Sequence, residues 1–147
     1  MRQLSLLAGK RQRGRAARPA KEINLHFMVA DVLRRWRSPG WRCTHFPAGE
    51  YRHPATAARL KRMGLEPGWP DFILLAPQGG TGSILNPLFG GAHFLELKRE
   101  GQDLTDYQQS FADYCDANGY AYFWTADFSE AVDQLKTWGA VIASVSA

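Results

Sequence analysis

Cysteine is nearly missing from this chain. Its two thiols, Cys43 and Cys115, stand seventy-two positions apart with no CxxC between them. That excludes a disulfide framework and a Cys-rich zinc site, and it suits a reducing, cytoplasmic setting. Long apolar runs are missing too. The longest, FILLA at Phe72 to Ala76, falls far short of the roughly 20 residues that cross a bilayer, so no membrane partner is expected. His26, His45, His53 and His93 show no H-x₃₋₅-H spacing beside cysteine, and GGTGS at Gly79 to Ser83 lacks the GK[ST] of a phosphate-binding loop. Acids are absent from the first 21 residues.

What remains is an ordinary globular mix, 147 residues with 45% hydrophobic and 22% charged. A domain of this size buries roughly 68–70% of its unfolded surface, enough for a sheet covered by helices. The net charge of +4 conceals an uneven distribution. Met1 to Arg62 carries fifteen Lys and Arg against three acids, whereas Glu96 to Ala147 carries three against nine. Clustered cations of this kind suit a polyanion, because phosphate neutralisation releases counterions. For residues 1–20, a basic and flexible tail, a solvated reading stands equally open. The Arg-rich, acid-free stretch also has the look of a transit peptide, against which stand its single serine, Ser5, and its lack of an amphipathic period.

Apolar periodicity predicts the order α, β, short α, β, β, α, β, α within one domain over 21–147. A helix from Lys21 to Arg37 has a broad apolar stripe of Ile23, Leu25, Phe27, Met28, Val32, Leu33 and Trp36, stopped by Ser38, Pro39 and Gly40. Trp41 to Phe46 reads as a strand, and Ala55 to Met63 as a short basic helix. The run DFILLA, between prolines, reads as a strand buried on both faces. Pro77 to Gly91 is a glycine-rich excursion without a core, and Ala92 to Lys98 the next strand. A helix over Thr105 to Asn118 carries a capping box, Thr105 with Gln108, and a Gly119 stop. Tyr120 to Thr125 reads as a further internal strand, followed by a helix from Ser129 to Trp138 ended by Gly139.

Three charged residues sit where packing alone would not put them. Asp71 opens an apolar strand, and Glu96 and Lys98 interrupt another, sharing one face while Leu95 and Leu97 take the other. Buried charges persist when they pair or bind a metal. Two carboxylates from adjacent strands offer hard oxygen ligands to Mg²⁺, with positions left for water and phosphate oxygens. Singly, Asp71 also fits a turn cap after Pro70, and Glu96 with Lys98 an ordinary ion pair.

GWPDFILL followed by HFLELKRE resembles the PD-(D/E)xK nuclease motif, Pro70 and Asp71 standing as PD and Glu96-Leu97-Lys98 as ExK, twenty-five residues beyond Asp71. The lead-in LK-x-x-G-x-x-x-G-x-PD, Glu22 in the first helix and LTDYQ at Leu104 to Gln108 are similar to the VRR-NUC branch of that superfamily, over about Lys21 to Gly139. The resemblance implies an α/β, restriction-endonuclease-like fold, a mixed central sheet flanked by helices, and metal-dependent hydrolysis of DNA phosphodiesters with Mg²⁺ or Mn²⁺. It implies Asp71, Glu96 and the Leu97 carbonyl as metal ligands, Lys98 positioning the attacking water, Glu22 completing the site and Gln108 beside it. Small stand-alone members are similar to phage and bacterial homodimers that act on branched DNA, as Holliday-junction resolvases do, in a bacterial cell or phage-infected host. Gln108 is also accounted for by the cap, and Glu22 by the helix dipole. Arg52, Lys61 and Arg62 are candidate phosphate contacts, with a solvated face the alternative, and Trp69 a candidate DNA contact. A non-catalytic nucleic-acid-binding module with a degenerate nuclease fold is the competing function.

Overall fold

The computed structural model describes residues 22–47, 52–79 and 91–144; the basic tail and most of the glycine-rich excursion lie outside them. Helix α1 covers residues 22–36. Its Leu25, Val29, Val32 and Leu33 recur at helical spacing and all are buried. The stripe read from the sequence is broader than the one the fold covers. Ile23, Phe27, Met28 and Trp36 remain exposed, because the sheet and the last helix shield only one side of α1.

Strand β1 (Arg42–His45) leads into α2 (Pro54–Arg62), β2 (Phe72–Leu75), β3 (Ala92–Leu97), α3 (Asp106–Asn118), β4 (Ala121–Thr125) and α4 (Phe128–Trp138). The four strands form one mixed sheet in the order β1-β2-β3-β4. The first two pairings are antiparallel and β3 with β4 is parallel. A parallel neighbour requires a crossover, and α3 supplies it. Its start is held by Thr105 and Gln108 in a reciprocal capping box, its end by Gly119 at φ 71°.

One face of the sheet carries Phe72, Leu74, Leu95 and Leu97, which pack with α1 and with Ala131, Val132, Leu135 and Trp138 of α4. Leu95, Leu97 and Leu135 are fully buried, each worth roughly 1.5–3 kcal/mol in transfer free energy. The opposite face is aromatic: Phe94 and Phe111 meet edge to face at 5.1 Å, with Trp69 and Tyr122 around Phe111. A short antiparallel bridge, Arg37 with Val141, ties the end of α1 to the segment after α4, reinforced by hydrogen bonds from Ser38 N to the Ala140 carbonyl and from Ile142 N to the Trp36 carbonyl.

Two expectations fail on tertiary placement. Strand β2 is buried on one face only: Phe72 and Leu74 are covered, Leu75 is exposed, since α3 lies over β3 and β4 and leaves that end of β2 open. Strand β4 is at the sheet's edge among the described residues and not internal, so its aromatic run leaves Trp124 partly in solvent. Both cysteines are free, and among the described residues no helix is long and apolar enough to cross a membrane.

Candidate active site

Strand register brings the acids together. Phe72 pairs with Leu95, so one step outward Asp71 stands opposite Glu96. Cross-strand partners share a face, and the alternation that sends Leu95 and Leu97 into the core sends Glu96 toward α3. Asp71 is locked by its surroundings. Its Oδ2 accepts a hydrogen bond from Leu97 N at 2.8 Å, and its carbonyl accepts from Phe46 N at 2.7 Å and lies 2.9 Å from His45 Nδ1.

Glu96 is 3% exposed. Its Oε1 takes the Lys98 ammonium at 3.1 Å and a hydrogen bond from Gln108 Nε2. The Gln108 carbonyl oxygen accepts in turn from Lys98 Nζ and from Thr105 N. Gln108 therefore caps α3 and bridges the acid to the lysine at once. Glu96 Oε2 is buried with no hydrogen-bond partner among the described residues, and so is the Tyr122 hydroxyl. Burial, followed by the charge of Asp71, pushes the Glu96 carboxyl up to about 7, against the opposing pull of Lys98. Burial, followed by the charge of Glu96, also raises the Tyr122 phenol well above its usual range.

Helix α1 contributes from the side. Glu22 pairs with Arg99 at 2.9 Å, next to Lys98, and Arg99 also donates to Gln102. One helical turn on, His26 Nε2 lies 3.4 Å from Asp71 Oδ2. Burial alone would lower the His26 pKa, but its hydrogen bond to Asp71 and the charges of Asp71, Glu22 and Glu96 raise it. His26 is not among the site residues that the motifs single out; the available signal is its i, i+4 spacing from Glu22, which puts both on one side of α1.

Among the expected nucleic-acid contacts, Lys61 and Arg62 are exposed on α2, while the Arg52 guanidinium donates to the Pro47 carbonyl. Trp69 is 37% exposed and otherwise packed among Phe46, Phe94 and Phe111. Two clefts of about 670 and 310 Å³ flank β4, meeting at Trp124, and contain none of Asp71, Glu96, Lys98 or Gln108. Convergent charge, not cleft size, marks the site. Among the described residues no three His, Cys, Asp or Glu side chains converge as a ready metal cage.

A four-stranded mixed sheet flanked by helices, with an acid at the mouth of β2 set against E-x-K on β3, defines an α/β domain. Residues 28–124, well over half of the chain, match the family model described as the VRR-NUC domain, and the chain belongs to that family. Among the solved structures similar to it are two that share its fold. One, a VRR_NUC domain protein, is 20% identical with a TM-score of 0.58, the match covering 80% of this chain and 86% of that one. The other, a VRR_NUC domain, is 17% identical at a TM-score of 0.50, covering 79% and 94%. No curated protein matches the chain.

Proposed function

We propose that this protein is a Mg²⁺- or Mn²⁺-dependent DNA endonuclease, selective for branched DNA in the manner of a Holliday-junction resolvase and active as a homodimer in the cytoplasm of a bacterium or phage-infected host. One observation carries the reading: the buried Glu96 carboxylate faces Asp71 with one oxygen unpartnered, while Lys98 grips the other. An orphaned buried carboxylate oxygen costs free energy unless a cation or donor meets it.

The donor set fits a hard divalent ion. Asp71 and Glu96, with the Leu97 carbonyl, would hold it, the remaining positions going to water and phosphate. When bound, such an ion polarises the scissile phosphate and acidifies water. The rest of the chemistry falls to the chain. An ammonium has three N–H donors, and those of Lys98 are shared with Glu96 Oε1 and Gln108 Oε1. One is left to orient the attacking water or a phosphate oxygen. Gln108, held at the start of α3 by the capping box, bonds the acid and the lysine together. Glu22 and Arg99 place an acid and a guanidinium beside Lys98, where a phosphate oxygen can exchange for Glu22. Lys61 and Arg62, with Arg52 and Trp69, would contact the DNA flank.

A second reading, the non-catalytic binding module, draws on the missing three-group cage among the described residues. One panel separates the two: four-way junction, flap, single strand and linear duplex, each with Mg²⁺ or Mn²⁺. The wild-type chain is expected to cleave the junction, and Asp71→Ala and Lys98→Ala to abolish cleavage while retaining junction binding in Ca²⁺. Full activity in either variant would remove the catalytic assignment, and no cleavage of any substrate by the wild-type chain would favour the binding module.

A further inference from the structure

Helix α2 is unlike the other helices. None of its nine residues is buried, and Pro54–Arg62 contains Arg59, Lys61 and Arg62 without an acid. Its remaining residues are three alanines with Pro54, Thr56 and Leu60, and carry no aromatic ring on which an unpaired base could stack. Helices of this length are marginal without a packed face. This one is held at its ends: the His53 side chain accepts from Ala55 N, Pro54 opens the first turn, and Leu65 N returns to the Leu60 carbonyl. A basic residue in the last turn complements the helix dipole. Three cations, with no acid anywhere from Arg52 to Met63, exceed that need and leave positive charge free for phosphates.

Both roots of this helix lie at the site. The chain leaves β1 where Phe46 N binds the Asp71 carbonyl, and it returns through Pro70 to Asp71 itself. On the return, Gly68 sits at φ +88° against α3: a Cβ there would come within 2.5 Å of the Tyr107 carbonyl oxygen. Tyr107 precedes Gln108, the residue that spans Glu96 and Lys98.

Resting on the nuclease reading above, we propose that α2 is a duplex-gripping arm: Arg59, Lys61 and Arg62 hold backbone phosphates of a double-stranded DNA flank, and the Gly68–Tyr107 contact keeps that grip in register with Gln108. Three cations on one short helix that carries no ring of its own suit the regular phosphates of a duplex better than a single strand, whose unpaired bases call for stacking partners. Gly68 is on this view a positioning residue.

The test is fluorescence anisotropy in Ca²⁺ on a duplex and on one of its strands, combined with steady-state cleavage. In Arg59→Ala/Lys61→Ala/Arg62→Ala the duplex salt slope should fall by about 2–3 and affinity at least about tenfold, with a smaller loss on the single strand. An unchanged slope, or equal losses on both, overturns the grip. Gly68→Ala should keep duplex affinity within about threefold while lowering kcat at least about tenfold, the size expected when a misplacement reaches a catalytic group. Gly64→Ala is the comparison, since Gly64 is equally left-handed at φ +98° but faces open space. A kcat loss there as large as in Gly68→Ala, or none in Gly68→Ala, overturns the register. A wild-type chain that cleaves nothing sinks the nuclease reading instead, and the salt slopes then decide the grip alone.

Discussion

Replacing Glu96 by Gln should change how stability depends on pH, in a direction fixed by where the carboxylate sits. Burial beside Asp71 raises its pKa from the ordinary 4.5 to about 7. A carboxyl raised on folding binds its proton more tightly in the native state, so it contributes stability fully present below pH 4.5 and lost as pH climbs to 7. At about 1.4 kcal/mol per pH unit, the loss approaches ~3 kcal/mol for the metal-free protein. Glutamine keeps an acceptor for Gln108 Nε2 and Lys98 at Oε1 but has no proton to lose. Urea unfolding of both proteins in EDTA, at whole pH values from 5 to 8, should show the difference moving in favour of Glu96→Gln by up to ~3 kcal/mol and levelling above 7. Groups that do not feel Glu96 titrate alike in both proteins and cancel; His26 does not, because Glu96 helps to raise its pKa, so the Glu96→Gln curve is compared again with His26→Gln in both backgrounds. Parallel stability curves would refute the buried, acid-facing placement of this carboxylate.

Other outcomes follow from the same packing. Thr105→Ala removes the hydroxyl that accepts from Gln108 N and should cost about 1 kcal/mol in denaturant unfolding, while lowering cleavage further than that loss explains, because Gln108 loses its anchor. Unaltered turnover at full occupancy would separate the cap from the site. Leu95→Ala, in the fully buried centre of β3, should cost about 2–5 kcal/mol by the same assay, and a cost under 1 kcal/mol would contradict its position in the core. Tyr122→Phe removes a buried hydroxyl that has no partner among the described residues, and should be neutral or stabilising by thermal unfolding; a clear loss would mean the hydroxyl is satisfied after all.

Much of the fold was legible because local chemistry and tertiary structure agree. The Thr105–Gln108 box, the glycines at 119 and 139 and the alternation around Glu96 each specify a backbone state that nothing distant overrides. What escaped is decided by neighbours. YAYFWT has the composition of a covered strand, yet β4 ends the sheet among the described residues, since strand order depends on where α3 crosses over. Ile23 and Phe27 look like Leu25 and Val29 in sequence, and the positions of the sheet and α4 separate exposed from buried. For the site, the PD and ExK residues stood out by breaking apolar runs. His26 did not, because a histidine on an apolar helix has many reasons to be there, and its approach to Asp71 requires the angle at which α1 crosses β2.

The bridge between Arg37 and Val141 has a bearing on how the molecule breathes. By clasping the exit of α1, it makes the first and last described pieces of chain a single cooperative unit, although about a hundred residues separate them. Amide exchange at Ser38 and Ile142 should then keep time with the α1 interior, and loosening the clasp would be felt at Glu22 and His26, at the far end of the same rod.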